Sequence, residues 1–210
     1  MQILFVCTGN ICRSPTAERL TYAYAESLDD PSQLTAASAG VRAVVGDPMH
    51  PTAALVLAGL GARASGFVAR MLEDSHVAEA DLVLTMSRKQ RRTVLGSSPR
   101  ALARTFTLRE AHALMQGIPY ATLPDASDLT QRGQALVAAL AGQRASRHLL
   151  DPRVDDIADP IGRDQQTFLR VGDEIARPLL ELLDVLCGTE PWLEEDDFRR
   201  MGLSPANARS

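Results

Sequence analysis

The sequence lacks any long hydrophobic run, and no stretch approaches the roughly 18 apolar residues that a membrane-spanning helix requires. The apolar segment after Met1 ends within a few residues, which is too short for the hydrophobic region of a secretory leader. The net charge of −4 provides no overall attraction to nucleic acid or to a membrane surface. We therefore expect a cytoplasmic monomer that binds neither nucleic acid nor membrane.

Residues that usually build metal sites and disulfide frameworks are also scarce. The chain has 3 cysteines, an odd number, and 4 histidines that lie far apart without the spacing of metal ligands. These residues are Cys7, Cys12, Cys187, His50, His76, His112 and His148. The sequence therefore predicts no bound metal, no other cofactor and no disulfide framework.

One segment near the amino terminus carries the strongest chemical pattern. A short apolar run ends in Cys7, the loop 8–12 follows, and Arg13 comes next, ahead of a predicted helix. Gly9 allows a tight turn, and Asn10 tolerates left-handed backbone better than most residues. Ser14 is a candidate cap for that helix, and its hydroxyl is also placed to donate to the cysteine. The proline that follows fits the first helical position.

This arrangement is suited to binding and attacking a phosphate group. Backbone N–H groups of the loop and of the helix N-terminus converge on one point, which makes an anion site. Positive potential there favours the thiolate form of Cys7, and the planar guanidinium of Arg13 matches two oxygens of a tetrahedral oxyanion. The segment therefore predicts phosphoryl transfer through a cysteine. A cysteine that is merely buried at a strand end is the alternative.

Strand and helix signals alternate along the chain, which is typical of a parallel sheet covered on both faces. We predict a three-layer α/β/α fold with four parallel strands, whose carboxyl ends form the ligand crevice at Cys7. The predicted strands are residues 2–6, 34–38, 81–85 and 105–108. The predicted helices are residues 15–28, 52–60, 87–95, 109–115, 128–141 and 165–186, with Ser87 capping the third helix and Gly96 ending it.

Two segments depart from this alternation. Residues 117–155 are predicted to form an insertion beside the sheet, with one amphipathic helix that places Leu129, Leu136, Val137 and Leu140 on one face. Residues 188–210 form an acidic tail that carries the only tryptophan. A single domain is therefore predicted over residues 1–187, and Pro178 is expected to kink or split its last helix.

Phosphoryl transfer through a cysteine also needs a general acid that protonates the leaving oxygen and later activates water. Asp159 is the candidate, because Pro160 stiffens its loop and because the loop lies just before the last helix. Asp30, Asp47 and Asp151 also precede prolines, and most such pairs are simply turns. Composition and spacing alone leave the choice among these aspartates open.

Several segments closely resemble the low-molecular-weight protein-tyrosine phosphatases, in their bacterial branch. They are residues 5–15, 37–40, 80–86, 106–110 and 156–160, and the resemblance spans 1–116 and 156–187. It implies hydrolysis of phosphotyrosine on proteins, with Cys7 as nucleophile, Arg13 as phosphate clamp and Asp159 as general acid and base. The phosphate-binding residues that it implies are Thr8, Gly9, Asn10, Ile11, Cys12 and Ser14.

The resemblance also implies two supporting roles. Asn10 and Ser38 are expected to hold the phosphate-binding loop through hydrogen bonds. Cys12 is expected to form a reversible disulfide with Cys7, which would protect the nucleophile from over-oxidation.

The chain departs from the family at the pocket wall. Ile161 follows the Asp-Pro pair, where the family often has an aromatic residue, and the loop 41–50 offers Val44, Val45 and Met49. A related branch, the bacterial protein-arginine phosphatases, usually has threonine where this chain has Ile11, so Ile11 favours phosphotyrosine. A protein-arginine phosphatase therefore stays as the alternative, beside a non-catalytic phosphate-binding module. The module is disfavoured because binding alone needs no thiol.

Basic residues are concentrated in one stretch. Residues 88–109 include Arg88, Lys89, Arg91, Arg92, Arg100, Arg104 and Arg109, and the stretch contains no acid. Such a stretch is usually a solvated helix face. The alternative is that it steers an acidic phosphoprotein toward the crevice.

Overall fold

The computed structural model describes residues 1–147 and 152–189, and its centre is a sheet of four parallel strands. The strands are β1 (Gln2–Cys7), β2 (Thr35–Gly40), β3 (Leu82–Thr85) and β4 (Thr105–Thr107), in the spatial order β2-β1-β3-β4. Ile3 in β1 pairs with Ala36 on one side and with Leu82 on the other. The predicted sheet is therefore confirmed, and β1 lies in its interior.

Strand β1 is apolar along most of its length because both of its faces are covered. Ile3 and Phe5 pack into the larger hydrophobic core, while Leu4 and Val6 pack into a smaller core. All four side chains are fully buried. Successive residues of a strand point to opposite faces, so this division between two cores shows that the sheet is a middle layer.

Seven α-helices in the described part of the chain form the outer layers. They are α1 (Arg13–Ala25), α2 (Pro51–Gly59), α3 (Asp74–Glu79), α4 (Arg88–Ser97), α5 (Leu108–Met115), α6 (Leu129–Gln143) and α7 (Gln165–Cys187). Helices α1, α2, α5, α6 and α7 contribute to the larger core, and α3 and α4 contribute to the smaller one. The three-layer α/β/α fold is therefore confirmed, although α3 was not predicted from the sequence.

The start of α1 differs from the prediction. The helix begins at Arg13, its N-cap is Cys12, and no side chain caps it. The prediction that Ser14 caps the helix is therefore wrong, because the chain turns into the helix before reaching that residue. Pro15 is the third helical residue, where its missing N–H still costs no intrahelical hydrogen bond.

The ends of α4 are partly as predicted. The Ser87 hydroxyl accepts a hydrogen bond from the Gln90 N–H at 3.4 Å, which confirms the predicted cap. The helix continues through Gly96 to Ser97, so the prediction that Gly96 ends it is wrong. Pro99 gives the physical reason, because a proline restricts the residue before it and disfavours helical backbone there.

The predicted insertion contains α6, whose buried face includes Leu129, Leu136 and Leu140 with Val137 half-buried beside them. Helix α7 runs through Pro178 as one element, so the expected splitting does not occur. Buried apolar residues lie on both sides of that proline and hold the helix against the core. Gly188, in left-handed conformation with φ of 64°, ends α7.

Some predictions fall on residues that the structure does not describe. Asp151, His148 and Trp192 lie outside the described residues, as does the tail from residue 190 onward. The domain boundary at residue 187 therefore stays a prediction. Of the helices in residues 1–147 and 152–189, none combines the length and the apolar character needed to cross a membrane.

Candidate active site

The loop 8–12 joins the carboxyl end of β1 to the start of α1. Asn10 has a φ of +56°, the only non-glycine residue of the described chain with positive φ. This left-handed turn directs the Asn10 N–H back toward Cys7, and it donates to the sulfur at 3.2 Å. The local sequence therefore folds the loop around the thiol, as the spacing predicts.

Cys7 is buried, with 2% of its surface exposed, and its sulfur accepts two hydrogen bonds. The second donor is the Ser14 hydroxyl, 2.9 Å from Sγ. Hydrogen bonds donated to a group favour its negatively charged form, so both contacts stabilise a thiolate. The expected contact between Ser14 and the cysteine is present, although Ser14 does not cap α1.

Asn10 fixes the loop with its side chain. Its Nδ2 donates to the Ser14 hydroxyl at 2.9 Å and to the Ser38 hydroxyl at 2.8 Å. Its Oδ1 accepts from the backbone N–H of Arg70 at 2.8 Å. Asn10 and Ser38 therefore lie together where the resemblance implied. Because Asn10 and Ser14 are fully buried, their side chains support the loop from behind and do not line the cleft.

The hydrogen-bond network continues to an acid that sequence reasoning missed. The Ser38 hydroxyl donates to the Glu18 carboxylate, and Arg70 Nε donates to the Ser38 carbonyl at 2.7 Å. Burial raises the pKa of Glu18 above its ordinary value, while the hydrogen bond from Ser38 lowers it. Glu18 lies one helical turn after Ser14, on the same face of α1, and that spacing was the available signal.

Arg13 lies at the start of α1 and holds the loop to a distant part of the chain. Its Nη1 donates to the Ile157 carbonyl at 3.0 Å, and its Nη2 donates to the Asp159 carboxylate. The Arg13 side chain is 5% exposed, whereas the Asp159 side chain is 47% exposed. The structure therefore places the predicted clamp beside the predicted acid, at the rim of one cleft.

The other Asp-Pro pairs lie elsewhere. The exposed Asp30 caps a short helical turn by accepting a hydrogen bond from the Ser32 N–H. Asp47 is also exposed, and it does not line the cleft beside the loop 8–12. Asp151 lies outside the described residues. Among the described Asp-Pro residues, Asp159 alone faces the loop 8–12.

The cleft above the loop, called here the active-site cleft, has a volume of about 390 Å³. Its walls combine the loop, the charged pair and an aliphatic rim. The lining residues are Cys7, Thr8, Gly9, Ile11, Cys12, Arg13, Arg42, Val44, Asp159 and Ile161. Val44 is 43% exposed and Ile161 is 47% exposed, so the mouth offers two accessible apolar side chains.

Cys12 and Cys7 are both free thiols in this structure. Burial raises the pKa of Cys12 to about 12, and the neighbouring Cys7 and Asp159 act in the same direction. Cys12 is therefore protonated near neutral pH. The two cysteines therefore differ in their surroundings: the Cys7 sulfur accepts two hydrogen bonds, whereas burial disfavours the thiolate form of Cys12.

The fold and the site define a three-layer α/β protein that presents a cysteine and an arginine at the two ends of the loop 8–12. Residues 2–117 match the family described as low molecular weight phosphotyrosine protein phosphatase. The chain belongs to this family, which confirms the resemblance seen in the sequence.

Individual relatives agree with this assignment. The chain is 36% identical over 135 residues to the probable low molecular weight protein-tyrosine-phosphatase EpsP of Ralstonia nicotianae, covering 62% of this chain and 89% of that protein. The structure of the low molecular weight protein tyrosine phosphatase from T. tengcongensis has a TM-score of 0.62 and 26% identity, and the match covers 88% of this chain and 98% of that one.

A second solved structure is similar to the same degree. It is the arginine phosphatase YwlE, as a cysteine-to-serine mutant with a phosphorylated active-site serine. Its TM-score is 0.61 at 26% identity, and the match covers 89% of this chain and 95% of that one. Solved structures similar to this chain therefore include both a tyrosine phosphatase and an arginine phosphatase.

Proposed function

We propose that the protein hydrolyses phosphotyrosine on proteins through a phosphocysteine intermediate. The observation that carries this proposal is the arrangement of Cys7, Arg13 and Asp159 around one cleft, with two hydrogen bonds donated to the sulfur. A phosphate-binding module needs the arginine and the loop but has no use for a stabilised thiolate.

In the first step, the Cys7 sulfur attacks phosphorus, so that an S–P bond forms while the bond to the tyrosine oxygen breaks. Asp159 in its acid form gives its proton to that leaving oxygen. In the second step, Asp159 as carboxylate takes a proton from water, and the hydroxide attacks phosphorus. The S–P bond breaks, inorganic phosphate leaves, and the thiolate is restored.

Arg13 is placed to hold the transferred group in both steps. Its Nη1 is fixed by the Ile157 carbonyl at 3.0 Å, which sets the plane of the guanidinium. Phosphate oxygens compete with Asp159 for Nη2, so an arriving substrate replaces the carboxylate there. The Asp159 carboxyl group, whose side chain is 47% exposed at the mouth of the cleft, is then available to give its proton to the leaving oxygen.

The rim favours an aryl substrate. The exposed aliphatic side chains of Val44 and Ile161 line the cleft mouth and offer apolar surface to a phenyl ring. Ile11, at the loop itself, brings no hydroxyl that would direct water onto a phosphoramidate. We therefore favour phosphotyrosine over phosphoarginine as the substrate.

The decisive experiment compares initial rates of phosphate release from peptides that carry phosphotyrosine, phosphoserine or phosphoarginine. We expect phosphotyrosine to be hydrolysed fastest, and a faster rate on phosphoarginine would assign the protein to the arginine phosphatases instead. Cys7→Ser should abolish turnover, whereas Cys187→Ser, a matched change at a buried cysteine far along the chain, should retain it. Turnover by the Cys7→Ser variant near the wild-type rate would rule out covalent catalysis.

A further inference from the structure

A second cleft adjoins the active-site cleft, with a volume of about 480 Å³, and is called here the flank cleft. The two clefts share Thr8, Arg13, Arg42 and Asp159. A peptide that places a phosphorylated side chain in the active-site cleft therefore carries its neighbouring residues across the flank cleft.

The flank cleft has two cationic side chains that are free to bind a ligand. Lys89 and Arg42 line it, both are exposed, and neither side chain forms a hydrogen bond or ion pair with any residue in the described part of the chain. The remaining charged pair of the cleft, Arg13 with Asp159, is already matched. The net charge that the flank cleft offers to a ligand is therefore positive.

Some of the other bases in the stretch 88–109 have structural partners, whereas the Lys89 side chain has none in the described part of the chain. Arg91 forms an ion pair with Glu110 at 3.0 Å, and Arg104 donates to the Val77 carbonyl at 3.2 Å. The stretch is therefore not a uniform basic face. Lys89, the only lysine of the chain, is the one basic residue of the stretch that lines the flank cleft.

The wall that carries Lys89 is tied to the phosphate-binding loop. Gln90, the next residue of α4, is 4% exposed, and its Nε2 donates to the Thr8 hydroxyl at 3.1 Å. Helix α4 therefore holds Lys89 at a fixed position relative to Cys7. A charge carried by a helix that is fixed in this way can distinguish one substrate sequence from another.

We propose that the flank cleft binds an aspartate or glutamate side chain next to the phosphotyrosine, and that Lys89 determines this specificity. The inference rests on the proposed function, because it concerns the peptide that carries the phosphotyrosine. A lysine ammonium at a partly exposed site gives a modest gain, so we expect about a fivefold preference, expressed in KM and weakened by salt.

The test uses three phosphotyrosine peptides that differ only in having glutamate, alanine or lysine on both sides of the phosphotyrosine. The wild type should prefer the glutamate peptide, Lys89→Gln should reduce that preference although Arg42 remains, and Lys89→Glu should reduce it further. Arg92→Gln is the matched control, since Arg92 is exposed on the same helix but does not line the flank cleft. All variants should hydrolyse p-nitrophenyl phosphate, which has no flanking residues, at the wild-type rate.

Equal kcat/KM on the three peptides in the wild type would overturn the inference, and so would an equal loss of preference in Arg92→Gln and Lys89→Gln. Both results leave turnover of the alanine peptide intact, so the proposed function survives them. Absence of turnover on every phosphotyrosine peptide would instead overturn the proposed function, and the inference with it.

Discussion

Arg13 and Asp159 share a hydrogen bond across the rim of the active-site cleft, although 146 positions separate them in the sequence. Arg13 begins the first helix, and Asp159 lies in the loop that precedes the last one. The contact places a carboxylate beside the guanidinium at the mouth of the cleft, next to Ile161, whose N–H donates to the Asp159 carboxylate at 3.3 Å. The mechanism proposed above depends on this contact.

Asp159→Asn tests the role of the carboxylate. We expect turnover of phosphotyrosine to fall by roughly 10²–10⁴-fold, because the amide cannot donate a proton to the leaving oxygen. The loss should be far smaller on an aryl phosphate whose leaving group is already a weak base. Steady-state rates on both substrates measure the effect.

Asp47→Asn is the control for that substitution, since Asp47 is another aspartate before proline and is exposed. Its rates should match the wild type on both substrates. A comparable loss in Asp47→Asn, or an equal loss on both substrates in Asp159→Asn, would contradict the assignment of the general acid.

Glu18 gives a prediction about pH. Its pKa in the folded protein is raised, chiefly by burial, so folding favours the protonated carboxyl. The associated stability is fully present below the pKa of the unfolded chain and is lost as pH rises through the higher folded pKa. The variant Glu18→Gln keeps an acceptor for the Ser38 hydroxyl but carries no charge. We therefore expect it to remove the loss of stability at higher pH.

Urea unfolding at a series of pH values between 4 and 8, in about half-unit steps, measures that effect on the free energy of unfolding. Glu26→Gln serves as the control, because Glu26 is exposed just beyond the end of α1. The prediction fails if Glu18→Gln and Glu26→Gln give the same dependence of stability on pH.

Gly40, at the end of β2, is expected to be required for the position of the loop. A Cβ atom there would lie 2.6 Å from the Thr8 carbonyl oxygen and 3.0 Å from Ala43. Gly40→Ala should therefore shift the loop, lower kcat/KM on phosphotyrosine and destabilise the protein by about 1–3 kcal/mol.

Gly96→Ala provides the matched comparison, since a Cβ atom there meets no atom within 4 Å and the residue is helical. That change should raise the free energy of unfolding by about 0.5–1 kcal/mol and leave turnover unchanged. Thermal unfolding of both variants measures the change in stability, and initial rates measure the change in activity. Wild-type activity in Gly40→Ala would contradict the argument that a Cβ atom there displaces the loop.

Oxidation should distinguish the two cysteines of the loop. After peroxide treatment, we expect mass spectrometry to find a disulfide between Cys7 and Cys12, with Cys187 unpaired. Because burial raises the pKa of Cys12 and only a thiolate attacks, disulfide formation should accelerate as pH rises. A Cys7 sulfinate with Cys12 still reduced would count against the resolving role.

Much of the site could be predicted from short segments of sequence. The loop 8–12 and Arg13 are contiguous, so their chemistry follows from local backbone preferences, above all the left-handed turn at Asn10. Two helix boundaries were wrong: α1 begins at Arg13, ahead of Ser14, and α4 continues through Gly96 to Ser97, shortly before Pro99. Helix propensities describe single residues, so they do not fix the exact residue at which a helix begins or ends.

The sequence by itself was enough to predict the parallel sheet and to single out Cys7 and Arg13 as the candidate nucleophile and clamp, because each follows from residues that are close together in the chain. Only the tertiary structure placed Asp159 against Arg13, joined Glu18 to the loop through Ser38, and placed Lys89, alone among the basic residues of its stretch, in the flank cleft. Those outcomes depend on which distant segments the fold packs together, and burial and charge at such contacts exist only once the chain has folded.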